Sequence, residues 1–356
     1  MKILIIGFAK IKYMPYLNLY LENIDRDGND VHLIYWNRDL KEENLEKLQG
    51  ITLHEFNCLQ QDDAAKLSKI ESFKKFRDYA VSVLKEGFDF AVVLHSLPGV
   101  LLSKELIGTY KNRYIFDYRD FTYENFLPYK SVIQSLVKNS YRTFVSSDAF
   151  RAFLPDSKKV LTSHNVLSED LFFDSCCKKE KSEKIRIGFW GFIREEKINS
   201  EIIKKLGNDP KFELHYYGRE QAVAENLKAF AKENALNVFF HGEYNPSQRY
   251  EFIKNTDVIH NIYGESNMNL AVSNKYYDGA LFRIPQLVMK NSFMGVMAQN
   301  TGIGCAVNPF DEDFGNKIFE YYQSIDKKAF NKSCEKVVNR VKTEQSIIAE
   351  TVRNIK

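Results

Sequence analysis

The sequence lacks the features that mark several classes of protein. It has no stretch approaching the ~20 apolar residues needed to span a bilayer, and the apolar run of its first ten residues is too short for the core of a signal peptide. Its net charge is only +3, so no overall basic field indicates a nucleic-acid partner. We therefore expect a cytoplasmic protein that binds no nucleic acid and meets any anionic ligand locally.

Cysteine is scarce, and metal-binding patterns are missing. The five cysteines have neither C-x-x-C nor zinc-ligand spacing, and they are Cys58, Cys176, Cys177, Cys305 and Cys334. We expect structural thiols in a reducing compartment. No D-x-D string follows a predicted central strand, since one at 25–27 lies at a helix exit and one at 311–313 fits a helix N-terminus. The sequence predicts neither a metal nor another cofactor.

The pattern that is present predicts two α/β domains. A chain of 356 residues exceeds what one hydrophobic core usually serves. Strands alternate with helices in both halves, which predicts doubly wound parallel sheets with ligands beyond the carboxyl ends of the strands. The predicted strands are 2–6, 31–36, 90–94, 114–116, 143–145 and 159–162, then 185–190, 212–217, 238–240, 258–262 and 286–289. The predicted helices of the second half are 197–206, 221–234, 246–255, 273–281 and 313–355.

A charged stretch without periodicity, DSCCKKEKSEK, interrupts this alternation. It predicts a first domain at 1–174, a linker at 175–184 and a second domain at 185–356.

The start of the second half favours an anion site. A strand ends in a loop with Gly188 and Gly191, and Arg194 and Lys197 follow at the start of a helix. Bare backbone amides, a positive helix end and two cations are the components of such a site. The alternative is a turn glycine next to solvated charges.

A second group of candidate ligand-binding residues lies at the start of another predicted helix. Ser273 is expected as its N-cap, Asn274 and Lys275 begin it, and Asp278 lies on its second turn. A carboxylate at 278 could accept two hydrogen bonds from a diol such as a ribose, and the 264–269 loop could lay amides along the ligand. The alternative for Asp278 is an acidic residue favoured near a helix N-terminus.

An ordered series of motifs links these groups. GFWGFIREEK, FELHYYG, NVFFHG, SNKYYDGA and TGIGCAVNP follow one another in the second half, after DFAVVLHS, YIFDYRD, TFVSS and LTSHNVLSEDLF in the first. In order and spacing the series resembles GT-B glycosyltransferases of the family 4 type, which include bacterial capsular and lipopolysaccharide enzymes. The resemblance covers nearly the whole chain. It implies two Rossmann-like domains facing a central cleft, with a nucleoside-diphosphate-sugar donor in the cleft.

The resemblance also implies a metal-independent, retaining hexosyltransferase. Arg194 and Lys197 resemble the cations that hold the donor diphosphate, and the loop at Gly191 and the helix amides that start near Ser273 are expected to lie around it. Asp278 resembles the second acid of the E-x7-E motif, which binds the ribose. The first acid is replaced by Leu270, and Glu265 upstream is the candidate substitute.

In the first half, Gly7 falls where the family's glycine-rich loop approaches the ligands. Asp117, Arg119 and Asp120 occupy the position of a functional His-Asp pair, and Arg119 or Asp120 is expected to contact the sugar or the acceptor. The alternative is a salt-bridged loop. His95 follows a strand and could face the cleft, although a lone histidine more often has a structural role. His164-Asn165 resembles the family's interdomain turn, and structural roles are expected for both residues.

The acceptor is expected to be a glycan or a lipid-linked glycan of a cell-surface polysaccharide. Two other functions stay open: a catalytically silent partner subunit, which the loss of the first acid at Leu270 motivates, and a sugar-nucleotide 2-epimerase.

Two basic segments with interleaved apolar residues could rest on anionic lipid at the inner face of the membrane. Solvated helix faces explain the same residues. The first segment interleaves Lys66, Lys69, Lys74, Lys75 and Arg77 with Leu67, Ile70, Phe73 and Phe76, and the second, 127–142, carries Lys130, Lys138 and Arg142.

Overall fold

A computed structural model describes residues 1–61, 65–166, 171, 182–244, 248–264 and 269–355. The chain forms two compact units, one of Met1–Leu167 with Thr343–Lys356 and one of Ser168–Lys342. We call them the amino unit and the carboxyl unit. Residues 343–356, which the sequence analysis placed in the second domain, join the amino unit because Ile348, Val352 and Ile355 pack in its core. Most of the predicted linker, 175–181, lies outside the described residues.

The amino unit contains a seven-stranded parallel sheet in the order β3-β2-β1-β4-β5-β6-β7. Its strands are β1 (Lys2–Ile6), β2 (Asp30–Asn37), β3 (Thr52–Asn57), β4 (Phe90–Leu94), β5 (Tyr114–Tyr118), β6 (Arg142–Val145) and β7 (Val160–Thr162). Its helices are α1 (Leu17–Asn23), α2 (Lys66–Leu84), α3 (Ser96–Leu101), α4 (Ser103–Ile107) and α5 (Leu127–Asn139), with 3-10 turns at Ile11–Tyr13, Glu46–Leu48 and Asp148–Phe153. β3 was not predicted, because only one of its six residues, Phe56, is buried.

The carboxyl unit contains a six-stranded parallel sheet in the order β10-β9-β8-β11-β12-β13. Its strands are β8 (Ile185–Trp190), β9 (Phe212–Tyr217), β10 (Val238–Phe240), β11 (Val258–Asn261), β12 (Gln286–Met289) and β13 (Gly304–Val307). Its helices are α6 (Glu196–Leu206), α7 (Ala222–Glu233), α8 (Arg249–Lys254), α9 (Asn274–Leu281), α10 (Phe293–Thr301) and α11 (Phe314–Ser324), followed by α12 (Lys327–Arg353), which continues into the amino unit. α10 and β13 were not predicted.

Both sheets confirm the predicted doubly wound α/β class. Strand order reverses between β1 and β4 in one sheet and between β8 and β11 in the other. Such reversals open a crevice at the carboxyl ends of the strands, where ligands of this fold class bind. The residues that follow β1, β4, β8 and β11 therefore border these crevices.

In the described part of the chain, no helix combines the length and the apolar character that crossing a membrane requires.

Candidate functional site

Two glycines bring the loops after β8 and β9 into close contact. Gly191 has φ 122° and Gly218 has φ 148°, a region of backbone conformation that favours glycine. A Cβ atom on Gly218 would lie 1.7 Å from the carbonyl oxygen of Gly191. The close approach leaves the backbone of Gly191 next to the ammonium of Lys275, which would lie 3.7 Å from a Cβ at 191.

Lys275 is a buried cation in this crevice. Its side chain enters from the first turn of α9, and the residue is only 5% exposed. Its Nζ donates hydrogen bonds to the carbonyl oxygen of Trp190 at 2.9 Å and to the hydroxyl of Tyr263 at 2.5 Å, and it lies 4.4 Å from the ring centroid of Phe189. No carboxylate among the described residues forms an ion pair with it. Burying a charge without a counter-charge is costly, so this position favours an anionic ligand.

Tyr263 connects Lys275 to one of the two predicted diphosphate ligands. The guanidinium carbon of Arg194 lies 5.4 Å from the Tyr263 ring centroid, and Lys275 Nζ lies 5.0 Å from it. Arg194 is half-buried. Lys197 is exposed, and its ammonium lies 5.4 Å from the ring of Phe310. The structure thus brings Arg194 and Lys275 to one ring and places Lys197 at another.

The start of α9 is built differently from the prediction. Ser273 occupies the N-cap position, but its hydroxyl donates to Oδ1 of Asn261 at 2.6 Å and makes no capping bond to the helix. Asn261 in turn donates to Oε1 of Gln286 at 2.9 Å, within a buried network. Because the Ser273 hydroxyl takes part in this network, it caps none of the backbone amides at the start of α9. These amides can therefore donate to another acceptor. Asn274 is exposed at the same helix end.

Asp278 is buried within the carboxyl unit. One carboxylate oxygen accepts a 2.8 Å hydrogen bond from the indole nitrogen of Trp190, and the other lies 3.6 Å from the guanidinium of Arg249. These contacts give Asp278 a structural role whether or not it also binds a ribose. Leu270 is half-buried, and Glu265 lies outside the described residues.

The sequence analysis missed a buried polar chain behind Arg194. Asn199 donates to the carbonyl oxygen of Arg194 at 2.6 Å, and His260 Nε2 lies 2.9 Å from Oδ1 of Asn199. Burial and, secondarily, the charge of Lys275 lower the pKa of His260 to about 3, so its ring is neutral and Nε2 donates. The chain fixes the backbone of Arg194. A histidine in a strand gives no sequence signal for such a role.

In the amino unit, Arg119 is committed to protein partners. It is buried, with Nε 2.7 Å from Oδ1 of Asp117, and its terminal nitrogens donate to Asp117, Ser163 and Asn165 at 2.9 to 3.2 Å. Asp117 also accepts a 2.7 Å bond from Tyr20. This geometry supports the structural alternative for Arg119 over the expected contact with sugar or acceptor.

Asp120 instead belongs to a partly exposed group at the ends of β4 and β5. Its Oδ2 lies 3.0 Å from Nδ1 of His95, whose Nε2 is hydrogen-bonded to the hydroxyl of Tyr16. The side chain of Asp120 is 67% exposed. His95 has φ 79° and ψ 159°, a conformation that is strained for any residue other than glycine and that is often found at functional sites.

Gly7 and His164 have packing roles in the amino unit. A Cβ atom on Gly7 would lie 2.7 Å from the terminal methyl of Met14 and 3.0 Å from the carbonyl oxygen of Ile34, so a larger residue would require this packing to shift. His164 Nε2 lies 2.5 Å from Glu344, in agreement with a structural role for that histidine. A ligand contact by Gly7 stays a prediction.

Comparison with solved structures identifies the fold. The chain is similar to Anabaena HepE in complex with UDP and glucose, with a TM-score of 0.69 and 14% identity over 99% of this chain and 100% of that one. It is also similar to the lipopolysaccharide outer core galactosyltransferase WaaB, with a TM-score of 0.66 and 13% identity over 98% and 99% of the two chains. The chain has the GT-B fold. No protein-family model and no curated protein sequence matches it.

The GT-B fold is shared with enzymes of another activity. UDP-GlcNAc 2-epimerase from Neisseria meningitidis bound to UDP-GlcNAc has a TM-score of 0.59 and 13% identity, over 99% of this chain and 99% of that one. At these identities the likeness establishes the fold alone. Function has to be inferred from the residues at the strand ends.

Proposed function

We propose that the chain is a retaining glycosyltransferase, which moves a hexose from a nucleoside-diphosphate-sugar to a glycan or lipid-linked acceptor in cell-surface polysaccharide synthesis. The observation that carries the proposal is the buried ammonium of Lys275, which has no carboxylate partner among the described residues and lies beside Gly191 and the first turn of α9. A diphosphate supplies the missing negative charge.

The leaving group is stabilised without a metal in this mechanism. Lys275, Arg194 and the amides at the start of α9 neutralise the nucleoside diphosphate as its bond to the sugar breaks, and Lys197 contributes from the exposed end of the group. Cations and helix amides that are already in position cost no reorganisation at the moment of reaction. Uridine diphosphate is the first nucleotide to test, because two of the similar structures contain UDP or UDP-glucose.

The amino unit contributes acceptor contacts in this proposal. Asp120 is exposed and its carboxylate orients His95, whose other nitrogen contacts Tyr16, so the group offers hydroxyl-binding atoms at the strand ends. Transfer takes place on the front face of the donor, which retains the configuration at the sugar carbon.

Two other functions predict different results. A silent partner subunit, suggested by Leu270, binds the nucleotide but neither hydrolyses nor transfers any UDP-, GDP- or dTDP-sugar, and Leu270→Glu does not create activity. An epimerase, suggested by the similar epimerase structures, interconverts a free UDP-sugar with its 2-epimer in the absence of any acceptor.

The decisive experiment has two stages. A thermal-shift screen of nucleoside diphosphates identifies the base, and the matching sugar nucleotides are then followed by NMR with and without mixed glycan acceptors. Donor hydrolysis or transfer with retained configuration supports the proposal. Epimer formation, or nucleotide binding without turnover until a second chain is added, contradicts it.

Peripheral membrane attachment is a separate part of the proposal. Leu67 and Ile70 on α2 are 81% and 62% exposed, and Phe126 and Leu127 at the start of α5 are 64% and 76% exposed. Phe76, by contrast, is fully buried. Binding to anionic vesicles that weakens as salt rises supports the attachment. Equal binding to neutral and anionic vesicles, or to neither, contradicts it.

A further inference from the structure

The amino unit contains a pair of histidines near the amino ends of its strands, opposite the carboxyl ends described above. His32 is the third residue of β2 and His54 the third residue of β3. Ile34 pairs with His54 in the parallel register, so His32, two residues before Ile34, lies on the same face as His54. Glu86, which follows α2, completes the group. The donor atoms of the three side chains all lie within 4.8 Å of one another.

The two rings face each other through nitrogen atoms. His32 Nδ1 lies 2.7 Å from His54 Nε2, and the rings stack with centroids 5.1 Å apart. Only one proton, or one metal ion, can lie between two such nitrogens. His32 is buried, and its outer nitrogen, Nε2, lies 3.1 Å from the carboxylate of Asp30. This contact lacks hydrogen-bond geometry, so Asp30 has to turn towards Nε2 before it can orient a metal-bound ring.

We propose that His32 Nδ1, His54 Nε2 and the carboxylate of Glu86 bind a zinc ion. Two imidazoles and a carboxylate are typical zinc ligands, and water completes a tetrahedral set. Zn–N distances of about 2.0–2.1 Å in tetrahedral geometry separate the two nitrogens by about 3.3 Å, so the rings move apart by roughly 0.6 Å on binding. Such a shift is available because β3 is the edge strand of the sheet.

Two charged groups beside the site have opposite effects on a bound zinc ion. The carboxylate of Glu86 supplies a negative charge beside the two rings, which favours a bound cation. The ammonium of Lys2 lies 3.6 Å from Glu86 and competes for that carboxylate. Lys2 is partly exposed and can turn towards solvent. A zinc ion bound here connects β2, β3 and the segment after α2. It takes no part in the metal-independent chemistry proposed at the carboxyl ends of the strands.

The carboxyl unit contains a similar pair that serves as a control. His215 Nδ1 lies 3.0 Å from His241 Nε2, but Glu213 contacts the outer nitrogen of His215 at 2.6 Å. This carboxylate lies behind the ring, where it does not supply a third ligand beside the two facing nitrogens. In the part of the chain that the structure describes, the group of His32, His54 and Glu86 is the one set of three donors that converges in this way.

The test uses the full chain, stripped with a chelator and then titrated with Zn²⁺ and, separately, with Co²⁺. We expect one zinc per chain, a rise in melting temperature, and the visible absorption of tetrahedral Co²⁺. His54→Ala and Glu86→Gln should each weaken binding about 10- to 100-fold or more, while His241→Ala should leave it unchanged. Lys2→Met should tighten binding.

Glu86 is exposed, so Glu86→Gln should fold normally and still report on the site if a histidine variant does not. Circular dichroism of each variant checks this. Zinc binding that survives both His54→Ala and Glu86→Gln, binding that is lost in His241→Ala, or no stoichiometric binding by the wild type overturns the proposal.

Discussion

The buried ammonium of Lys275 donates a 2.9 Å hydrogen bond to the carbonyl oxygen of Trp190, the last residue of β8. A lysine from α9 is therefore held against the strand end where the sheet order reverses. Within the part of the chain that the structure describes, this ammonium donates to a carbonyl oxygen and a phenol oxygen, both neutral.

Lys275→Met should abolish most of the stabilisation by uridine diphosphate. Loss of charged hydrogen bonds to the diphosphate, about 1.5–3 kcal/mol, corresponds to a dissociation constant raised by about 10- to 100-fold. The melting temperature of the free protein should stay equal or rise, because a buried charge is removed. Lys254→Met, at an exposed lysine of the same unit, is the control. An unchanged thermal shift with uridine diphosphate would show that Lys275 does not hold the diphosphate.

Arg194 should matter more than Lys197 for nucleotide binding. Arg194 shares the Tyr263 ring with Lys275, whereas Lys197 is exposed beside Phe310. Calorimetry should show a larger loss for Arg194→Ala than for Lys197→Ala, and no binding in the double variant. Lys204→Ala, at an exposed position later in α6, should bind like the wild type. Undiminished binding in the double variant removes both residues from the site.

Asp278 should affect both donor use and stability. Asp278→Asn should raise the donor KM, and Asp278→Ala should cost about 2 kcal/mol of donor binding through lost charged hydrogen bonds. Asp278→Ala should also lower the free energy of unfolding by about 3 kcal/mol, because the buried Arg249 loses this carboxylate. Adding Arg249→Met should restore stability but not KM. If the second change restores both, Asp278 has a structural role alone.

Donor turnover should persist in excess chelator, because the proposed mechanism stabilises the leaving group with cations and amides alone. The melting temperature should fall in the same solution if the zinc site proposed at His32 and His54 is loaded. The two effects are separate because the zinc site lies near the amino ends of the strands in the amino unit, whereas the proposed diphosphate ligands lie at the carboxyl ends of the strands in the carboxyl unit. A complete loss of turnover that magnesium or manganese restores would require a metal at the reaction centre.

His260 should make the protein sensitive to mild acid. Its pKa is lowered to about 3, so between about pH 6.5 and pH 3 the unfolded chain binds a proton here that the folded chain does not. The free energy of unfolding therefore falls as pH is lowered through this window, by up to about 1.4 kcal/mol per pH unit. Urea unfolding at pH 7 and pH 5 should show a loss about 2 kcal/mol smaller for His260→Gln than for the wild type. Equal losses would mean that His260 is charged when folded.

Much of the sheet architecture was predictable from local patterns. β1, β4, β8 and β12 have the predicted bounds, because short apolar runs between turn residues mark buried parallel strands. β9 and β10 also have the predicted bounds, although β9 alternates between buried and half-buried residues and the three residues of β10 are half-buried or exposed. β3 and β13 were not predicted, for two different reasons. β3 lies at a sheet edge with one buried residue, and β13 begins with a glycine that packs closely against Gln286.

The residue types of the candidate site were predictable as well, but not the role of each residue. The sequence analysis named Arg119 or Asp120 as a contact for the sugar or the acceptor, with a salt-bridged loop as the alternative. The structure shows that the guanidinium of Arg119 contacts Asp117, Ser163 and Asn165. The N-cap position of Ser273 was correct, yet its hydroxyl bonds Asn261. Side-chain partners that are far apart in sequence leave no periodic signal.

The sequence by itself determined the doubly wound sheets and the cations and acids that follow their strands, because periodicity and turn chemistry are local properties of the chain. Only the tertiary structure decided which cation is buried. Lys275 and Lys197 are the same residue type near predicted helix starts. Lys275, however, reaches a carbonyl oxygen 85 residues away and is shielded by Phe189 and Tyr263. Burial depends on such distant packing, and the burial of Lys275 is the basis on which a diphosphate ligand is proposed for it.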